Sequence, residues 1–320
     1  MNTTFNTRVS CYKIAMKAAT ACILFCVAFA AIAAGPPRKI AFMCGDHIWV
    51  ANIDGTAEKK LVGGGEPVLS PDGTRIAFDS TPRSAYEQTA KGAPDPKTQI
   101  AVLDIASGKV TILKDIPTDR CLYLAWSPDG KWIAFQSRRG SPAWISDLAV
   151  VKEDGTGFSI IKKGEEPLKY AFNQPCWARD GRSIFCHDTK NIYRLGLDGV
   201  VLGQWKVDKI VPVDYMTSTG RIDVSPDGTR LLLTVDYQKS SDAPPPSLWS
   251  FDLTTQSAVR LNTPKKLWIQ EGCWLDNKNI LFVTGSPDDS AGAIYRMSID
   301  GTNLKRLIKN AGVASVSSGD

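Results

Sequence analysis

Histidine is almost missing from this sequence: the 320 residues contain only His47 and His187. No G-x-S-x-G elbow and no C-x-x-C pair occurs, so a serine-hydrolase triad and a zinc finger or redox site both lack their starting residues. Two histidines also make a poor base for a metal-dependent lyase. No metal and no cofactor is expected. Outside the first 33 residues there is no dense basic run either. Within them lie Arg8, Lys13 and Lys17 and no acid, so the formal net charge falls from +5 to +2 without that segment. The basic excess is a property of the N-terminus, and nucleic-acid binding gains no support from it.

The N-terminal segment explains its own charge. Lys13 and Lys17 precede an apolar run from Ala18 to Ala34, and Ala31-Ile32-Ala33 supplies a small-x-small cleavage pattern. A membrane-spanning helix needs about 20 apolar residues, more than this run offers, and Gly35-Pro36-Pro37 breaks the chain directly after it. Residues 1–33 are therefore expected to be an export signal, with a retained anchor as the alternative and Met16 as a second candidate start. Residues 34–320 are then the mature chain, periplasmic or secreted. Five cysteines remain in it: Cys44, Cys121, Cys176, Cys186 and Cys273. Buried free thiols are the simplest reading, although Cys176 and Cys186 flank one predicted turn where an oxidising compartment would permit a disulfide.

What the chain has in quantity is one short pattern. "LSPDGTRIAF" (69–78) returns as "WSPDGKWIAF" (126–135), "WARDGRSIFC" (177–186) and "VSPDGTRLLL" (224–233), with a shorter copy "WLDNKNILF" at 274–282. Each copy is an apolar strand, a tight Asp/Gly turn and a second apolar strand. The recurring aspartates are turn formers rather than a catalytic series. After each copy comes an alternating segment such as "HIWVANIDG", "QIAVLDIASG" or "AIYRMSIDG", and then another short strand. Four strands per unit, a to d, recur six times, except that the first unit has no strand a. The terminal "VASVSSGD" (313–320) supplies it when Val316 and Ser317 are laid over Leu69 and Ser70. The prediction is an all-β, six-bladed propeller of four-stranded antiparallel blades, its ring closed by the C-terminal strand joining the N-terminal blade.

The Ser-Pro-Asp-Gly-Lys/Thr-x-Ile-Ala-Phe copies resemble the WD-type repeat of the TolB β-propeller family, over essentially all of residues 34–320. The N-terminal α/β domain of TolB has no counterpart here. The resemblance implies a periplasmic propeller that works by binding other proteins.

Candidate site residues follow from the repeat. Three positions before the Leu69/Trp126 position, the a strands begin with Glu66, Tyr123, Gln174, Arg221, Glu271 and, from the C-terminal donor, Val313. Five of these six can hydrogen-bond, and in a propeller they would converge at one mouth of the central channel, as a ligand or peptide-end site or as groups that satisfy one another. The same face carries the b–c connections, which are long in blades 2, 3, 5 and 6. Arg83, Tyr86, Arg138, Arg139, Trp144, Tyr237 and Trp268 are expected on or near those loops, and such residues suit a protein interface. Trp49, Trp126, Trp177, Trp249 and Trp274 are expected to pack blades. The partner anticipated is an envelope protein or peptide, bound by a monomer without catalysis. A glycan is the alternative ligand, and Glu66 with Glu271 is the one carboxylate pair open to acid–base work in a carbohydrate lyase or hydrolase.

Overall fold

The computed structural model describes residues 37–81, 85, 88, 96–140, 145–165, 171–236, 245–285 and 292–317. The chain enters blade 1 through β1 (Lys39–Cys44), β2 (His47–Asn52) and β3 (Lys59–Gly63). Blade 2 is β4 (Gly65–Leu69), β5 (Arg75–Asp79), β6 (Ile100–Asp104) and β7 (Val110–Ile112). Blade 3 is β8 (Arg120–Trp126), β9 (Trp132–Arg139), β10 (Ile145–Lys152) and β11 (Ser159–Lys162). Blade 4 is β12 (Asn173–Trp177), β13 (Ser183–His187), β14 (Asn191–Gly196) and β15 (Val201–Lys206). Blade 5 is β16 (Ile222–Val224), β17 (Arg230–Val235), β18 (Ser247–Asp252) and β19 (Ala258–Arg260). Blade 6 is β20 (Trp268–Trp274), β21 (Asn279–Gly285), β22 (Ala293–Ser298) and β23 (Lys305–Lys309). The last strand, β24 (Gly312–Val316), returns to pair antiparallel with β1, completing six four-stranded sheets as the repeat predicts.

The second strand of each blade reads as an unbroken apolar run because both of its faces are buried. In β5, Ile76 and Phe78 pack with Ala41 and Ile48 of blade 1, while Ala77 faces Ile133 and Phe135 of blade 3. The same division holds at every junction, so six apolar cores lie between six pairs of blades. The core between blades 6 and 1 contains Ile40, Phe42, Leu281, Val283 and Ala314, and the last of these arrives on the returning strand.

The repeated Ser-Pro-Asp-Gly turn is a folding device. Ser70 Oγ accepts the Arg75 N–H at 3.0 Å and donates to the Asp72 carboxylate, and the Asp72 carboxylate accepts the Thr74 N–H. Gly73, Gly130, Gly181 and Gly228 close these turns at φ between 65° and 73°, a left-handed conformation that glycine adopts without strain. The same serine role appears at Ser127 and Ser225. Ser317 repeats it for blade 1, with its Oγ accepting the Lys39 N–H at 3.0 Å across the junction of the two chain ends. The placement of Val316 opposite Ile40 matches that of Leu69 opposite Ile76.

The five cysteines among the described residues are free thiols. The disulfide that the spacing permitted between Cys176 and Cys186 does not form, because register puts them on opposite faces of blade 4. Cys176 pairs with Phe185 and faces the core shared with blade 5, whereas Cys186 pairs with Tyr193 and faces blade 3. Burial pushes the Cys121, Cys176 and Cys273 thiols up to about 12, so none is a poised nucleophile. His187 is fully buried and lowered to about 4 by that burial, with its Nδ1 accepting the Thr189 N–H.

Candidate functional site

Each inner strand runs in the same sense around the ring, and their first residues meet at one mouth. The b–c connections leave from that same end: Gly65 pairs with Asp79, Arg120 with Arg138, and Trp268 with Gly285, each pair matching the start of an inner strand to the end of its neighbour. The six inner strands enclose a cavity of about 460 Å³. Glu66, Tyr123, Gln174, Arg221, Glu271 and Val313 all line it, so the structure brings together every residue of the aligned ring.

Five of the six, all but Arg221, sit at a local irregularity. Register shifts by a residue between Gly65 and Val68, Leu122 and Ala125, Asn173 and Cys176, and Ile269 and Glu271, and a fifth shift lies opposite Phe42 and Met43 in β24. These are β-bulges, which re-aim side chains that regular pleating would direct elsewhere. At four of them a non-glycine residue is left-handed: Glu66 (φ 49°), Tyr123 (φ 56°), Gln174 (φ 49°) and Val313 (φ 33°). Such conformations cost on the order of 1–3 kcal/mol each and persist where the surroundings enforce them.

The ring is not uniformly available. Arg221 Nη1 donates to Glu271 Oε2 at 3.2 Å and to the Ala314 carbonyl at 2.8 Å, and Glu271 Oε1 accepts the Ala314 N–H at 2.6 Å. Blades 5 and 6 thereby grip the backbone of the returning strand. Burial alone would lower the Arg221 pKa, but Glu271, Cys273 and Asp223 raise it, so the guanidinium stays charged. Gln174 Nε2 donates to the Thr219 carbonyl at 3.3 Å. Glu66 is different. Its Oε2 accepts the Tyr123 N–H at 3.3 Å, and among the described residues it makes no ion pair. Burial raises its pKa, with that hydrogen bond and the Arg120 charge opposing and the Asp79 and Glu271 charges adding to the rise. The Tyr123 phenol is raised too, by burial and then by Glu66.

Three lining residues escaped sequence reasoning, although two carried a signal. Asp223 stands where the other inner strands have Val68, Ala125, Cys176, Cys273 and Ser315, and it joins its neighbours by accepting the Trp274 N–H at 2.6 Å and the Cys176 thiol at 3.6 Å. Arg179 replaces the proline of the repeated turn. It lies at the far mouth, where Nε and Nη2 donate to the Ser225 and Val224 carbonyls. Arg38 lines that mouth as well and donates to the Ser317 carbonyl.

Of the residues expected on loops, Arg83, Tyr86, Trp144 and Tyr237 lie outside the described residues. Arg138 and Arg139 are corrected from loop to strand, since β9 and β10 extend past the expected boundary and pair them with Ser146 and Ile145. A buried anchor holds that extension: Asp147 accepts Arg139 Nε at 2.9 Å and the Gly164 N–H at 2.8 Å. Trp268 opens β20, is 38% exposed, and borders a second hollow of about 260 Å³ with Thr217, Thr219, Asp236 and Gln270. Among the described residues no group of three His, Cys, Asp or Glu side chains is arranged to hold a metal ion, and no helix is long and apolar enough to cross a membrane.

No family model and no curated protein sequence matches the chain. Solved structures do resemble it. TolB from Acinetobacter baumannii is 16% identical with a TM-score of 0.63, over 87% of this chain and 66% of that one, so the chain spans just under two thirds of that protein. A putative TolB from Agrobacterium tumefaciens is 16% identical with a TM-score of 0.58, over 85% and 89% of the two chains. An oligogalacturonate lyase in complex with manganese is 12% identical with a TM-score of 0.52, over 82% and 70%. The likeness is one of fold, and a propeller fold hosts binders and enzymes alike.

Proposed function

We propose that this propeller is an exported, non-catalytic binding module whose working face is the channel mouth at the inner-strand starts, together with the b–c connections around it. One observation carries the reading. The bulged starts of the inner strands and the departure points of the b–c connections lie at the same end of the ring, so converging polar groups and extra chain length share one face. Binding residues favour such loops on a rigid scaffold. The partner is a protein or peptide of the cell envelope, in keeping with Arg138, Arg139 and Trp268 at that end of the ring.

The test is capture from an envelope extract. The full chain, expressed for export, is expected in the envelope fraction beginning at Ala34 by mass spectrometry; a retained leader in the membrane fraction contradicts export. The purified protein should then retain a partner that is lost when Trp268→Ala is combined with replacement of residues 82–95 by a short Gly-Ser link. Identical partner sets for the two proteins contradict the assigned face. Turnover of an oligosaccharide by the wild type contradicts the non-catalytic reading.

A further inference from the structure

The channel is electrically polar from end to end. At the inner-strand starts and just inside them sit three carboxylates, Glu66, Glu271 and Asp223, against one guanidinium, Arg221. At the opposite mouth the charged lining residues are Arg38 and Arg179. Arg221 and Glu271 are consumed by the returning strand, and Asp223 by Trp274 and Cys176. Glu66 at one end and Arg179 at the other keep bonding capacity, while Arg38, at the same mouth as Arg179, is engaged with the Ser317 carbonyl. Glu66 accepts one N–H and feels the Arg120 charge without forming an ion pair, and Arg179 donates to two carbonyls without forming one, among the described residues.

We propose that the channel binds a short peptide with both ends free, its terminal ammonium at Glu66 and its terminal carboxylate at Arg179. This rests on the reading of the channel mouth as the binding face and specifies the ligand class. Three features converge on it. A buried carboxylate that lacks an ion-pair partner gains from a cationic ligand, since an opposite charge beside it offsets part of the cost of its burial. An arginine in a mouth is suited to a carboxylate through its planar donors. The span also fits. Arg179 occupies the place of Pro71 in its turn, five residues beyond the Glu66 position, and at about 3.3 Å per residue that is roughly 16 Å. A peptide of four or five residues covers the same length when extended. The cavity volume of about 460 Å³ lies within the usual range of about 300–1,000 Å³ for small-ligand sites.

The experiment is calorimetric titration of the mature protein with penta-alanine, its N-acetyl form, its C-terminal amide, and cadaverine. Penta-alanine should bind, and either cap should weaken it at least about 10-fold, close to the loss of one charge-assisted hydrogen bond. In Glu66→Gln the N-acetyl penalty should vanish while the amide penalty remains. In Arg179→Pro, which installs the residue found at this place in three sibling turns, the amide penalty should vanish while the acetyl penalty remains. Melting curves confirm that both variants are folded, and the cap penalties do not move with a merely structural change. Capped and free peptides binding alike, or no binding of the free peptide, overturns the proposal, as does cadaverine binding as tightly as the peptide. If that happens while capture from the extract still depends on the loop face, the face stands and the end-reading channel does not.

Discussion

A chain lacking Val313–Asp320 is expected to lose its cooperative fold or to melt at least about 10 °C below the full protein. The strand is five residues long, yet it is gripped from four directions. It pairs with β1, Ala314 fills the core between blades 6 and 1, Leu69 of blade 2 donates to Ser315 Oγ at 3.0 Å, and blades 5 and 6 hold the Ala314 backbone. Removing it leaves β1 as an open edge and strips Ala314 and Val316 from the core between blades 6 and 1. With a domain's whole stability at about 5–15 kcal/mol, loss of a ring junction takes a large part of it, and each kcal/mol is worth roughly 2–4 °C in a domain of this size or slightly smaller. An unchanged melting temperature would mean the ring is held closed without this strand.

The second large effect separates two carboxylates that look equivalent in an alignment of the repeats. Glu271→Ala is expected to cost about 3 kcal/mol, because it leaves the half-buried Arg221 guanidinium and the Ala314 N–H without their shared acceptor. Glu66→Gln is expected to cost under about 1 kcal/mol, since the amide oxygen still accepts the single Tyr123 N–H and no ion pair is broken. Chemical denaturation of both variants measures the contrast. Equal losses would contradict the division between a residue that latches the ring and one that faces the channel. For the same reason a charge reversal at Arg221 is a poor probe of binding, because it strikes the closure first.

This contrast marks where sequence reading stops. The periodic turn and the apolar runs are local features, so strand order, blade number and the equivalence of Val316 to Leu69 could be placed from the chain alone. The alignment of strand starts likewise brought Glu66, Tyr123, Gln174, Arg221 and Glu271 to one mouth. It could not say which of them stay available, because Arg221 and Glu271 are occupied by Ala314, 93 and 43 residues away. The bulges were also out of reach, since a one-residue offset leaves no mark on an apolar alternation. Cys176 and Cys186 show how much a single residue of register matters even without a bulge, appearing cross-strand in the sequence and lying on opposite faces in the sheet. Arg179 and Asp223 were legible in principle, as the places where one copy of the repeat departs from its siblings.

Hydrogen–deuterium exchange on the protein with and without its captured partner tests the binding face most directly. Added protection is expected at the inner-strand starts, around Glu66, Tyr123, Gln174 and Trp268, and on the b–c connections beside them. Protection confined to the outer strands β7, β15 and β19 would contradict it.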